Sequence, residues 1–342
     1  MAIYVLTLIM IHLFIKSFTT FDKSNFLTLV ILSLFAVLIK PSSIIFLILS
    51  IIIFTRFYIY TRSQIKYLIA LLIVILFVII FKNVWLTGHP FFPLNIGDSI
   101  DLAWQIPSDI STYFSTYGKA YGYHLNPEVF ESATWSVRLK NWLLAPGLHG
   151  VFNKAMVLLF IMTPLVIYKF YNKKTFWILY LCGIINLLFL FTISPQYRFF
   201  FPFIMIFTLM LCRILLVHLK VLKFVLSVST LLTAIPLFFA VNNEEFTANE
   251  YHQVPSQFST NYILQPYGLS KYSEDFNIIY EGDTQIHTPS EIDFFWGTGN
   301  IPLPAINQKQ LEYFKTYFQV VPMQATENLK HGFISKRVKK NN

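Results

Sequence analysis

From Ala2 to Val241 the chain alternates apolar runs with short polar turns, and it closes on a polar stretch of about a hundred residues. Runs such as Tyr67 to Phe81, Trp177 to Ile193, Phe199 to Val217 and Leu222 to Val241 approach the ~20 residues that a helix needs to cross a hydrocarbon core of about 30 Å. The pattern predicts about eight membrane segments: Ala2 to Ile15, Phe26 to Ile39, Ser43 to Phe54, Tyr67 to Phe81, Ala155 to Tyr168, Thr175 to Ile193, Phe199 to Val217 and Leu222 to Val241. The second and third are short, since about fourteen residues extend only about 21 Å. That pair reads as two tilted crossings or as one re-entrant hairpin around Lys40, Pro41 and Ser42. The expected class is an all-α polytopic membrane protein. Its transmembrane domain covers 1–241 with a large outer loop at 82–154, and a small α+β extracytoplasmic domain follows at 242–342.

Lysine and arginine in the short loops set the predicted sides. Arg56, Arg62 and Lys66, then Lys169, Lys173 and Lys174, then Lys220 and Lys223 fall in alternate loops and are assigned to the cytoplasm. The loop from Lys82 to Lys154, the Ser194 to Arg198 turn and the tail are then outside, with Gly118 and Gly268 outside and Asn172 inside. The membrane implied is the inner, cytoplasmic one. The same alternation puts Met1 outside with no basic leader before the first span, which reads as the loss of an upstream segment.

Composition supports a membrane class: 55% of residues are apolar, 13% are charged and 36 are Phe. The net charge of +9 resides in short turns, so anionic lipid headgroups, not nucleic acid, are the expected partners. Cys182 and Cys212 lie within apolar runs and read as small buried hydrophobes. No Asp or Glu lies within any apolar run, which argues against an ion-coupled carrier. His89, His124 and His149 lack metal-site spacing, so no metal ligands and no cofactor are assigned.

In the outer loop, apolar spacings of three and four predict helices at Ile106 to Tyr117 and Pro127 to Trp142. Trp85, Trp104, Trp135 and Trp142 give that face flat rings that suit either sugar stacking or an interfacial belt. In the tail, β-like runs are predicted at Asn277 to Tyr280 and Tyr313 to Val321.

Three positions carry candidate chemistry. Lys40 ends an apolar run and precedes Pro41, Ser42 and Ser43; its ammonium suits a lipid phosphate, with Ser42 as a further donor, or else it is a snorkelling turn lysine. Arg198 sits in Ser194-Pro-Gln-Tyr-Arg-Phe-Phe-Phe-Pro202, where a planar guanidinium either grips a phosphate by two hydrogen bonds or anchors the interface. His89, in Thr87-Gly-His-Pro-Phe-Phe-Pro93, is a candidate donor to a phosphate or sugar hydroxyl, or an ordinary solvated histidine. The loop carboxylates Asp98, Asp101, Asp109, Glu128 and Glu131 show no spacing that marks an acid/base pair.

These three motifs together resemble the GT-C class of membrane glycosyltransferases, which take sugars from polyprenyl-phosphate carriers. Leu102-Ala-Trp-Gln-Ile-Pro107 and Thr326-Glu-Asn-Leu-Lys-His-Gly-Phe333 are similar to stretches in a group of uncharacterised bacterial hydrophobic membrane proteins. The resemblance implies hexosyl or pentosyl transfer from a polyprenyl-phosphate-linked sugar in cell-surface glycan assembly, with Lys40 and Arg198 on the carrier phosphate. It also implies an acidic residue, as base or divalent-metal ligand, in a first outer loop that this chain lacks, hence an inactive fragment. An O-antigen polymerase or ligase and a non-catalytic membrane subunit or carrier are the other readings.

Overall fold

The computed structural model describes residues 2–92, 102, 104–238, 275–282, 284–290, 292, 295, 297–299, 301–326 and 328–337. Asp98, Asp101, Gly268 and the end of the closing basic run, Val338 to Lys340, lie outside the described residues. The chain forms two compact units, Met1–Lys82 with Ser115–His218, and Asn83–Phe114 with Leu219–Asn342.

The first unit is helical. Helices α1 (Ala2–Thr19), α2 (Lys23–Ile39) and α3 (Ile45–Arg56) pack on one another, followed by the single turn α4 (Tyr58–Thr61) and by α5 (Ile65–Thr87). Asp22 caps α2 by accepting from the Ser24 N–H at 3.1 Å, which satisfies a donor that has no partner within the helix. Pro41 stops α2 because it has no N–H to continue the ladder, and a 3₁₀ turn, Pro41–Ile44, leads into α3. The hairpin is pinned inside: the Ser33 hydroxyl lies 3.2 Å from both the Phe46 carbonyl and the Ser50 hydroxyl.

After α6 (Ser108–Gly122), α7 (Pro127–Ser132) and α8 (Trp135–Leu143), three 20-residue helices follow: α9 (Gly147–Val166), α10 (Lys174–Ile193) and α11 (Tyr197–Leu216). These three pack together, and α11 also meets α1. Phe14, Phe26, Phe46, Phe200, Phe203 and Phe207 are fully buried between the helices. Phe46 stacks on Phe203 at 6.2 Å between ring centroids. Two glycines permit close approach: a Cβ at Gly150 would lie 1.8 Å from the Ala145 carbonyl oxygen, and one at Gly183 would lie 2.6 Å from the Phe207 ring. Gly183→Ala therefore forces α10 and α11 apart, and loss of thermal stability in detergent of roughly 1–3 kcal/mol is expected.

The expectation of eight spans is corrected. Among the described residues three helices are long and apolar enough to cross a membrane: Tyr58–Thr87, Gly147–Tyr171 and Lys174–Ile193. Ile3–Thr19, Lys23–Ile39 and Pro41–Arg56 are apolar but shorter, because the turns at Thr20 to Asp22 and at Lys40 cut them below the ~20 residues a crossing uses. None of the residues of helix α5 is buried.

In the second unit, the stretch after α5 folds back on its end: the Ile106 N–H donates to the Thr87 carbonyl at 3.0 Å and the Trp104 indole N–H to the Val84 carbonyl at 3.3 Å. Gly88 sits at φ +76, where any Cβ would lie 2.6 Å from the Gln105 Cα, so glycine is required there. Helix α12 (Leu219–Phe238) leads to two antiparallel hairpins, β1 (Phe276–Glu281) with β2 (Thr284–Pro289), and β3 (Val320–Gln324) with β4 (Phe333–Arg337). The Tyr113 and Tyr313 hydroxyls meet at 2.5 Å, and Arg337 pairs with Asp109 at 3.2 Å.

Two local expectations change. Tyr313 to Phe318 is helical, and only Val320 onward is strand. Asn307 caps that helix through Lys309 N–H, and the i,i+4 pairs Tyr313–Tyr317 and Phe314–Phe318 stack along it, so aromatic side chains with strand propensity serve a helical face. The stretch Pro127 to Trp142 is two helices, because Ala133 and Thr134 are extended at their junction and the Thr134 hydroxyl pairs with that of Ser136 at 3.1 Å.

Candidate functional site: a cation pair beside Phe199

Lys40 and Arg198 are 158 residues apart in sequence, and the first unit brings them together. Lys40 closes α2 in an extended conformation (φ −150, ψ 107), as the residue before a proline favours, and this turns its side chain away from the α2 ladder. Its ammonium donates to the Arg198 backbone carbonyl at 2.8 Å and lies 4.5 Å from the centroid of the Phe199 ring. The Arg198 guanidinium approaches the same ring at 5.2 Å. Two full positive charges thus flank one aromatic ring.

Arg198 is in the first turn of α11 and exposed. The turn before it is fixed from several directions. The Ser194 hydroxyl donates to the Gly118 carbonyl at 2.5 Å, the Gln196 amide to the Ser194 hydroxyl at 2.8 Å, and the Trp142 indole to the Pro195 carbonyl at 2.7 Å. The α11 N-terminus adds the positive end of its peptide dipoles to the same place. Among the described residues neither cation has a carboxylate partner, and the first unit holds only Asp22, Glu128 and Glu131 as acids. Burial, and beside it the Arg198 charge, hold the Lys40 ammonium down to about 8. An anion relieves both effects, because it offsets the repulsion between the cations and replaces lost hydration.

Beneath the pair, Ser42, Ser43, Asn186 and Phe203 line a cavity of about 10 Å³, close to the size that admits one water. Asn186 is 2% exposed, and its Oδ1 has no hydrogen-bond partner there. Ser42, in the 3₁₀ turn after Lys40, lines the same small, largely apolar space. His89 belongs to the second unit and is fully buried. Its Nε2 contacts the Ile106 carbonyl at 2.6 Å and its Nδ1 faces the Gln105 amide at 3.4 Å, an arrangement in which Nε2–H donates and Nδ1 accepts. The ring thereby fastens the Gln105 to Ile106 stretch.

Spacing along the chain did not reveal the histidine pair. His124, at φ 55, and His149 meet edge to face at 4.5 Å, and His149 also meets the ring of Tyr197, the neighbour of Arg198, at 4.9 Å. Burial lowers the pKa of His124, and its Nε2 is buried without a partner. Nearby, the Tyr123 hydroxyl donates to the Phe191 carbonyl at 2.5 Å, and burial, partly offset by Arg138, pushes its pKa up to about 12. Among the described residues no three His, Cys, Asp or Glu side chains converge as metal ligands. Of the loop carboxylates, Asp109 is engaged by Arg337, and Glu128 and Glu131 lie on α7.

No curated protein and no solved structure matches the chain. One family does match, over residues 1–205, which include Lys40, Ser42, His149 and Arg198. The chain belongs to the family described as a domain of unknown function, DUF8201.

Proposed function

We propose that this protein is a multi-pass inner-membrane protein that holds a lipid-linked phosphate at its outer face between Lys40 and Arg198. The supporting observation is that pair: two cations share one aromatic neighbour with no carboxylate bound to either among the described residues. Arg198 supplies a two-pronged contact and Lys40 a point charge. In the GT-C reading the lipid carries a sugar. Attack by an acceptor hydroxyl at the anomeric carbon then forms the new glycosidic bond as the sugar–phosphate bond breaks, the hydroxyl proton leaves to solvent, and the two cations stabilise the charge that gathers on the departing phosphate. In this reading the sides follow from the loop charges, with the tail outside.

The Lys40 value gives a pH signature. An anion favours the protonated amine, so affinity is flat below pH of about 8, where Lys40 is already charged in the free protein. It falls above that point by at most about tenfold per pH unit. A lipid monophosphate, with a second pKa of about 6, changes its own charge only below pH of about 7, so the protein supplies the fall above pH of about 8. Titrating purified protein with polyprenyl phosphate from pH 6 to about 10 measures it, and Lys40→Met is expected to flatten the profile. A decline of the same steepness in Lys40→Met would remove Lys40 from the site.

Sidedness is checked by thiol labelling in intact spheroplasts after Cys182 and Cys212 are replaced. Gly118 has open space around a new Cβ, and Lys173 is exposed with an ordinary negative φ, whereas Asn172 at φ 33 would strain a cysteine. An impermeant reagent is expected to label Gly118→Cys and to spare Lys173→Cys. The reverse pattern inverts the orientation and moves the phosphate site to the other leaflet.

A further inference from the structure

The three helices α1, α10 and α11 also frame an apolar groove of about 320 Å³ in the first unit, and Arg213 is its one charged lining residue among those described. The walls are Leu8 and Ile15 of α1, Leu179 of α10, and Leu209 and Leu216 of α11. The volume falls in the range of ligand sites, about 300–1,000 Å³. Arg213 lies 15 positions beyond Arg198 on α11, so about 22 Å of helix separates this groove's cation from the first site. We infer that the groove holds one acyl chain of an anionic glycerophospholipid, with the lipid phosphate on the Arg213 guanidinium. The inference does not depend on the Lys40 and Arg198 reading.

Charge decides the occupant. The Arg213 guanidinium is exposed and rests 4.9 Å from the centre of the Tyr171 ring, whose hydroxyl is anchored to the Met210 carbonyl at 3.1 Å. The cation is thus positioned by an aromatic ring, and it has no carboxylate partner among the described residues. The surrounding chain is just as one-sided: there is no Asp or Glu from Met1 to Phe21 or from Ala133 to Asn243. Lys169, Lys173 and Lys174 flank Tyr171 in sequence, and all are exposed. A wholly apolar occupant, such as a helix from another protein, would cover the groove and leave this charge at its edge without compensation. A phosphodiester meets it with two parallel hydrogen bonds. A zwitterionic lipid offers the same phosphate but brings an ammonium into the basic cluster, so a net negative headgroup is favoured.

Native mass spectrometry of the purified full chain in detergent, titrated with phosphatidylglycerol and with phosphatidylcholine of matched chains, tests this. The parent is expected to bind phosphatidylglycerol about fivefold more tightly, because phosphatidylcholine presents the same phosphate but sets its ammonium against Arg213. Arg213→Gln, at an exposed position, should erase the difference while the protein stays folded, and Leu209→Trp, which fills the groove, should weaken both lipids. Lys40→Ala should change neither. Equal binding of the two lipids by the parent, a preference that survives Arg213→Gln, or unchanged binding in Leu209→Trp would each overturn the assignment. A loss of binding in Lys40→Ala would overturn it too, by placing the bound lipid at the other end of α11.

Discussion

Arg198→Ala is expected to weaken binding of polyprenyl phosphate to the purified protein by about tenfold or more, the scale of a charge-assisted, two-pronged hydrogen bond. Lys40→Ala should weaken it less, because that ammonium already spends one of its three donors on the Arg198 carbonyl at 2.8 Å. Arg198→Lys should restore only part of the loss, since a lysine carries the charge without the planar fork. The two positions share one ligand and one aromatic neighbour, so the double alanine variant should lose less than the sum of the single losses. Tryptophan fluorescence or native mass spectrometry provides the affinities. If both alanine variants bind the lipid as the parent does, the two residues are interfacial anchors and the phosphate site does not exist.

The second large effect is on stability. Trp142 is 3% exposed, packs edge to face on Phe191 and Phe200, donates its indole N–H to the Pro195 carbonyl, and accepts at its own carbonyl from the Asn153 amide at 2.6 Å. Trp142→Ala should cost about 3–5 kcal/mol through lost packing and the cavity left behind. The apparent melting midpoint in detergent should fall by roughly 10 °C. Because the Pro195 carbonyl lies in the turn before Arg198, phosphate affinity should fall as well. Trp142→Phe keeps most of the ring but not the N–H, and about 1–2 kcal/mol is expected. A Trp142→Ala protein that melts with the parent would mean that Ser194 and Gln196 hold the turn by themselves.

Much of the helical framework was readable from hydrophobic runs, because a segment such as Thr175 to Ile193 has few other ways to satisfy its backbone than α10. Lys40 and Arg198 were readable as residues at the same predicted face, for each lies in a proline-bearing turn between apolar runs. Their meeting was not, since contact between residues 158 apart depends on how α2 and α11 pack. The histidine pair was hidden for the same reason: His124 needs an αL turn and His149 a helix start to face each other. Tyr313 to Phe318 misled in the other direction. Aromatic residues favour strands on average, yet here the Asn307 cap and the i,i+4 ring contacts outweigh that preference. The first three crossings were overcounted because hydropathy records apolar length and not the point at which a turn such as Lys40 and Pro41 interrupts the helix.

Helix α5 has a consequence for how this sequence can vary. With no residue fully buried and only Leu68, Leu71 and Ile75 reaching the core, most of its surface is matched to its surroundings rather than to a partner. Exchanges among Leu, Ile, Val and Phe at exposed positions such as Ile69, Ile73 and Val74 touch little of the core, whereas Leu68, Leu71 and Ile75 pack against it. What it does not tolerate is charge: an Asp or Lys at its centre carries a cost of about 2.5–3.5 kcal/mol at the moment of insertion. Over its exposed positions, what this helix must keep is hydrophobicity more than any particular side-chain shape.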